Sequence, residues 1–436
     1  MGIKVAKFGG SSVADALQLQ KVKKIIEADP DRKYVVVSAP GKRYSDDNKI
    51  TDLLYLCKTQ VDHKLPADHI FQVICDRFKI MEVNLGINVN IEKELDEIRT
   101  NLRRGVTADY IASRGEYLNA ILTAAFLGYD FVDATKLIKF DNKGRYLAKE
   151  TNEALSAELA NHERAVIPGF YGSAPDGSVK TFSRGGSDVT GSLVAKAVGA
   201  DVYENWTDVS GFLMADPRIV ENPKPIERIT YKELRELSYM GASVLHEDAV
   251  FPVREVNIPI NIRNTNDPEN PGTIISDTPS DSQNIITGIA GRKDFTVIAL
   301  YKNMMNSEIG FVKRLLTILE NNEISFEHLP SGIDTVCVVI SNKQLEGKMQ
   351  DLLEDIEKRL KPDTLDIYED VALIATVGLG MSRRLGVSAA LFTALNDAKV
   401  NVRMIDQGSS EMNIIVGVEN DQFETAIDAI YHAFVD

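Results

Sequence analysis

The sequence predicts an α/β protein. Its first two-thirds reads as a mostly parallel sheet, and its last third as two small ferredoxin-like units. Three observations predict this. Valine-rich apolar runs alternate with helix-period stripes as far as residue 264. A stretch dense in proline and small polar residues follows, and beyond it the rhythm shortens and repeats.

Taken in order, Lys4–Phe8 and Tyr34–Ser38 are short apolar runs of the kind buried on both faces of a parallel sheet. Between them Val13, Leu17, Val22, Ile25 and Ile26 make a rough helical stripe. Ile91, Leu95, Ile98 and Leu102 follow amphipathic-helix spacing, and Leu118, Ile121, Leu122 and Ala125 form another stripe. Phe170–Phe182 reads as a hairpin turning at Ala174-Pro175-Asp176-Gly177. A helix is expected from Asp188, an N-cap residue type, to about Val198, and a strand over Asp201–Trp206. The break falls between Asn264 and Gln283, around Pro268, Pro271 and Pro279. After it come Phe295–Tyr301, a helix around Phe311–Glu320 and Val336–Ser341. Val371–Val377, a helix around Ser388–Ala398 and Met412–Val418 then repeat that order, a weak internal duplication.

The 436 residues suggest two or three domains, and 44% hydrophobic with 26% charged residues is an ordinary globular balance. A net charge of −15 argues against a broad nucleic-acid-binding face, so an anionic ligand needs a local pocket of Lys or Arg set among glycines. Cys57, Cys75 and Cys337 are sparse and odd in number, which fits a reducing compartment and neither a disulfide framework nor structural zinc. The six histidines show no H-x-x-x-H or H-E-x-x-H pairing, so no metal site is expected. With no signal-peptide start and no run approaching about 18 apolar residues, a cytoplasmic chain that does not bind membranes is expected.

Three glycine motifs carry the chemistry. Lys7-Phe8-Gly9-Gly10-Ser11-Ser12 ends the first strand; adjacent glycines let the backbone approach a phosphate, and Lys7 adds a cation that follows moving charge. A tight strand–helix turn with an incidental lysine explains it as well. Ser183-Arg184-Gly185-Gly186-Ser187-Asp188 leads into a helix, where an arginine clamps a carboxylate or Asp188 simply caps a turn. In Ser113-Arg114-Gly115-Glu116 a carboxylate opens a helix; complementing the helix dipole is the ordinary reading, and binding an ammonium is the sharper one. Neither Walker A spacing nor a full dinucleotide fingerprint is present, and Gly378-Leu379-Gly380-Met381-Ser382-Arg383 reads as a small-ligand loop between strand and helix.

These motifs, with Trp-Thr-Asp-Val-Ser-Gly at 206–211 and Asp-Pro-Arg at 216–218, occur in the order found in aspartate kinases, and the chain resembles that family over essentially its whole length. The two C-terminal units, ending in Gln-Gly-Ser-Ser-Glu, resemble its tandem ACT domains. The resemblance implies an amino-acid-kinase domain over 1–283 with an eight-stranded open sheet in an αβα sandwich, aspartate on the N-terminal lobe and ATP on the other. It implies one ACT domain at 294–369, threaded into a second built from 284–293 and 370–436.

It also implies roles. Lys7 would contact the transferring phosphoryl, with Gly9, Gly10 and Ser11 along the phosphates and Asp188 orienting Lys7. Ser38 and Thr51 would lie beside aspartate, Glu116 would take its ammonium, Arg184 a carboxylate, and Ser187 a hydrogen bond. Thr207, Asp208, Leu213 and Arg218 would contact the nucleotide, and Ser243 stands where many members have a lysine. The effector site would involve Met305, Asn306, Ser307, Gly310, Ser325, Phe326 and Glu327, with Glu327 suited to the ε-ammonium of lysine and threonine as the other candidate. The cofactor would be Mg²⁺ carried mainly on the ATP phosphates, and the assembly a homodimer through the ACT domains. A catalytically weak amino-acid sensor on the same fold is the alternative, while a fused dehydrogenase is not expected.

Overall fold

The computed structural model describes residues 2–103, 106–183, 185–241, 250–278 and 284–435. They pack as two units. The first holds the chain up to Phe212, Pro225–Tyr231 and the strands that complete its sheet; the second holds Leu213–Lys224, the helical stretch from Lys232, and the C-terminal third.

In chain order the strands of the first part are β1 (Lys4–Phe8), β2 (Arg32–Val37), β3 (Asp130–Phe131), β4 (Ala165–Pro168), β5 (Tyr171–Ser173), β6 (Val179–Thr181) and β7 (Val202–Thr207). The two-residue β8 (Phe212–Leu213) and β9 (Pro225–Ile226) follow, then β10 (Arg228–Thr230), β11 (Ile260–Asn264) and β12 (Thr273–Ser276). Eight strands form one sheet in the order β10-β12-β11-β7-β1-β2-β4-β3. Every neighbouring pair is parallel except β11 and β12. Consecutive residues Val35, Val36 and Val37 are wholly buried, as a sheet covered on both faces requires. Across β1, Arg32 of β2 and Glu204 of β7 form a buried pair (Nε to Oε2, 2.7 Å), and Trp206 Nε1 donates to the same oxygen at 2.9 Å.

Most expected elements of this unit are present, including the antiparallel hairpin β5–β6. Four details differ. A one-turn 3₁₀ helix at Gly10–Val13 precedes the α-helix Ala16–Glu27, which Asp15 caps by accepting from the Gln18 amide. That turn breaks the phase of the expected stripe, so Leu17 is 69% exposed and Leu19 takes the buried place. In the helix Ala108–Leu127 the buried face passes through Leu118, Leu122 and Ala124, leaving Ala125 exposed. This helix is capped by Thr107, so Glu116 lies two turns inside it and does not open it. The helix Gly186–Ala197 starts one residue after Gly185, whose φ of 61° only glycine adopts freely, so Asp188 is not the cap and its carboxylate is free for other partners.

The second unit carries β13 (Gly288–Tyr301), β14 (Thr335–Ser341), β15 (Thr364–Val377), β16 (Met404–Asp406) and β17 (Asn413–Glu419). They form one antiparallel sheet in the order β14-β13-β15-β17-β16, so the two predicted small units do not have separate sheets. The cause is the length of β13 and β15, 14 residues each, whose register shifts between Arg292 and Phe295. Asp294 (φ 69°) and Asp370 (φ 58°) mark the irregularity, left-handed positions that Asp tolerates better than most residues. The duplication survives in detail: Gly310 (φ 81°) and Gly386 (φ 88°) start the helices Phe311–Asn321 and Val387–Asp397. The 378–383 loop is not an open ligand loop. A Cβ on Gly380 would lie 2.4 Å from Asn284 O and one on Gly378 2.7 Å from Ile286 Cα, so these glycines serve main-chain packing. No described helix is long and apolar enough to cross a membrane.

Gly115 gives a test of sign. Within a helix, Gly→Ala gains about 1 kcal/mol from propensity. Here the new Cβ would lie 2.7 Å from Ala39 Cβ, and such overpacking costs about 1–3 kcal/mol. Gly115→Ala is therefore expected to lower the melting temperature followed by circular dichroism; a rise would show that Ala39 moves aside freely.

Candidate active site

The carboxyl ends of β1, β2 and β7 lie side by side, and the site is built there. Lys7, the penultimate residue of β1, is 6% exposed, and its ammonium pairs with the Asp188 carboxylate from the helix Gly186–Ala197. Asn205 of β7 completes the triangle: its Nδ2 donates to Asp188 Oδ1 at 2.9 Å, and its Oδ1 accepts from Lys7 Nζ at 3.4 Å. Burying an ammonium without partners is costly, so this geometry is what keeps a lysine beneath the glycine turn.

The turn itself is held on both sides. Gly9 N–H donates to Trp206 O at 2.9 Å, and Gly10 O accepts from Gly41 N–H at 2.8 Å. A Cβ on Gly41 would sit 2.6 Å from Gly10 C, so the two main chains approach as only glycine permits. A Cβ on Gly9, by contrast, would meet Lys7 Nζ at 3.8 Å, which places the lysine head beside the turn.

From the same loop, the Ala39 amide faces Glu116 and favours its charged form. Glu116 is buried, its Oε2 has no hydrogen-bond partner among the described residues, and burial pushes its carboxyl up to about 8. A buried carboxyl with an unmet acceptor suits an incoming ammonium. Ser38 and Thr51 lie on neighbouring segments: Ser38 N–H donates to Phe8 O at 3.2 Å, its carbonyl accepts from Asn119 Nδ2 at 2.8 Å, and Thr51 is the second residue of the helix Ile50–Asp62 that packs on Gly115. Ser187 is buried against Gly169, where a Cβ would lie 2.6 Å from its Oγ. Next to it Phe170 holds a φ of 81°, a strained value for a bulky residue, with its amide tied to Thr190 Oγ1 at 3.1 Å.

The structure thus brings Lys7, Gly9, Gly10, Ser11, Ser38, Thr51, Glu116, Ser187 and Asp188 into the neighbourhood of two loops. Thr207 ends β7 and bonds to Asp208 at 3.2 Å. Leu213 and Arg218 belong to the second unit; Arg218 is exposed, with its guanidinium on Asp216. Arg184 and Ser243 lie outside the described residues. Of the effector candidates, Asn306, Ser307, Gly310, Ser325 and Phe326 are exposed, whereas Met305 is buried in an apolar cluster with Phe311 and Leu315. Glu327 accepts the Tyr239 hydroxyl, and burial followed by that contact pushes the phenol up to about 12. Asn205 and Gly41 were missed in the sequence. The polar pair Glu204-Asn205 inside a buried strand was the available signal for the first; Pro40-Gly41 carries no local signal that its amide meets Gly10. No group of three or more metal-ligating side chains is present among the described residues.

A model of the amino acid kinase family matches residues 2–264, and an ACT domain model matches 374–434. Aspartokinase 3 of Bacillus subtilis (strain 168) is 39% identical, over 99% of this chain and 98% of its own. Lysine-sensitive aspartokinase 3 of Escherichia coli (strain K12) is 28% identical over 98% of each. Among solved structures, Clostridium acetobutylicum aspartate kinase superposes with a TM-score of 0.93 at 53% identity, covering 100% of both chains. E. coli aspartokinase III in complex with aspartate and ADP gives 0.75 at 25% identity, again over 100% of both. The fold and these relatives are those of an enzyme that phosphorylates a small acid. The chain belongs to the aspartokinases, the members of the amino acid kinase family that phosphorylate aspartate.

Asp188→Ala leaves Lys7 buried beside Asn205 alone, and breaking a buried pair costs about 3–5 kcal/mol. Removing both charges together, as Lys7→Met with Asp188→Leu, is expected to cost less than Asp188→Ala alone in urea unfolding. An equal or greater loss would show that the pair itself stabilises the fold.

Proposed function

We propose that the first unit moves the γ-phosphoryl group of ATP onto the side-chain carboxylate of L-aspartate, giving 4-phospho-L-aspartate. The observation that carries this is the placement of a paired, buried lysine under a glycine turn beside a buried carboxyl with an unmet acceptor. The nucleophile is a carboxylate already ionised at neutral pH, so no general base is needed. What remains is alignment of two anions and neutralisation of their charge. Lys7 would meet the transferring phosphoryl, Gly9, Gly10 and Ser11 would line the phosphates, and Asp188 would hold Lys7 in place. Glu116 would take the substrate ammonium, with Ser38, Thr51 and Ser187 around the substrate and Arg184 on a carboxylate. Thr207 and Asp208 are proposed nucleotide contacts; Leu213, Arg218 and Ser243 are proposed as such from the family resemblance alone. The donor set at the turn, one cation and main chain, suits phosphate oxygens and not a resident metal. Mg²⁺ would therefore enter as the ATP complex and supply charge neutralisation there.

For the second unit we propose feedback by lysine, alone or with threonine, and assembly as a homodimer in the cytoplasm. E. coli aspartokinase III has been solved in complex with lysine and aspartate, and superposes with a TM-score of 0.76 over 100% of both chains. The proposed division is a domain at 294–369 threaded into one formed by 284–293 and 370–436; the irregularity at Asp294 and Asp370 supports those boundaries. The reaction would open a route from aspartate to lysine, threonine and methionine. The sensor alternative rests on Ser243 alone.

The test is ATP-dependent hydroxamate formation with aspartate, glutamate and acetate, with and without lysine or threonine. Product from aspartate only, suppressed by lysine, is expected; no product with any acid would leave the sensor. Inhibition by threonine but not by saturating lysine would overturn the choice of effector, and Glu327→Gln is expected to weaken lysine inhibition about tenfold or more. A pH series separates the role of Glu116. In the empty pocket it keeps its proton up to about 8, and only its ionised form pairs with an ammonium. KM for aspartate should therefore fall as pH rises toward 8 and flatten above it. Glu116→Gln should raise KM about 10–100-fold and abolish that slope. A slope that survives the substitution would assign it to another group.

A further inference from the structure

Arg77 lies inside the helix Asp68–Leu85, belongs to no motif, and is only 5% exposed. Its guanidinium serves three carbonyls from two connections, one after the glycine turn and two at different points of the loop between β2 and the helix Ile50–Asp62. Nη2 donates to Ala14 O at 2.9 Å and to Gly41 O, and Nη1 donates to Asn48 O at 2.9 Å. Nη1 also lies 3.3 Å from Asp47 Oδ2, a carboxylate that Arg43 grips with Nε and Nη2 at 2.7 and 2.9 Å. The hydrogen bonds from Arg43, and to a lesser degree the Arg77 charge, hold that carboxyl well below its usual range.

Each of these carbonyls belongs to a different part of the site. Ala14 follows the turn Gly9–Val13. Gly41 binds Gly10 O and follows Ala39, whose amide faces Glu116. Asn48 leads into the helix that carries Thr51. We propose that Arg77 is a positioning residue for phosphoryl transfer: it fixes the phosphate turn against the aspartate loop without touching either substrate. This rests on the reading that Gly9–Ser11 hold phosphate and Glu116 holds aspartate. A planar fork of donors at fixed angles is what three diverging carbonyls require, and a lysine ammonium, a point charge on a flexible stem, does not reproduce it. Reactants misplaced by about 1 Å lose about 10²-fold in rate, whereas each half-site on its own stays intact.

The experiment is Arg77→Lys in the full chain. It reads kcat and both KM values by hydroxamate formation, ATP and aspartate binding by calorimetry, and the melting temperature. Positioning predicts kcat lower by about 30–100-fold with each dissociation constant within about threefold of the parent. A kcat per folded enzyme within about twofold of the parent, whatever the change in melting temperature, overturns it. Should Arg77→Lys not fold, Asp47→Asn loosens the same clamp from outside and is expected to cut kcat about 5–10-fold at unchanged substrate binding; an unchanged kcat there also overturns it. Glu116→Gln without effect on aspartate KM would sink the underlying reading instead, so the two failures are distinguishable.

Discussion

Two loops of the first unit meet main chain to main chain. The Gly41 amide reaches the Gly10 carbonyl at 2.8 Å, and neither partner has a side chain to keep the other away. Nearly everything that concerns chemistry in this unit hangs on that approach. It puts the end of the first strand beside the segment that turns its amide toward Glu116, and it leaves Lys7 in a space too small for water to solvate it fully. The ammonium is then held by Asp188 and Asn205, which arrive from a helix and a strand on the opposite side. Parallel strands make the arrangement possible, because they bring several carboxyl ends to one edge of the sheet.

The two buried charges of the site are handled in opposite ways. Lys7 has its counter-ion built in. Glu116 makes no ion pair among the described residues, and the pull of the Arg114 cation does not offset its burial, which favours the neutral acid. In the proposed role, a buried carboxyl of that kind would recognise the charge of its ligand by relief of its own desolvation, and would discriminate against small acids that lack an ammonium.

Much of this was legible in the sequence, and the parts that were not share a cause. Lys7-Phe8-Gly9-Gly10 and Gly185-Gly186-Ser187-Asp188 could be read because the constraint is local: a glycine needed for close approach sits next to the residue it serves. The fold class was legible because Val35–Val37 and the helical stripes announce burial by period alone. Leu17 went astray because one 3₁₀ turn, invisible to periodicity, shifted the helix phase. Asp188 was read as a cap because cap and ligand use the same residue type, and only the φ of Gly185 distinguishes them. Arg77 and Asn205 were silent. An arginine within a helix usually faces solvent, and nothing near it in the chain reveals that its three acceptors come from residues 14, 41 and 48.

The long strands of the second unit bear on how the chain comes to be made. Gly288 pairs with Val377 and Arg292 with Leu373, partners separated by some eighty residues or more of sequence. At about 5–20 residues per second, the leading half of β13 must wait on the order of ten seconds, with its hydrogen-bonding edge bare, before its neighbour leaves the ribosome. The trailing half meets β14 much sooner, since Tyr301 pairs with Thr335. Nascent chains would therefore pass through a stage in which one half of a single strand is sheltered and the other is open to pairing with a stranger.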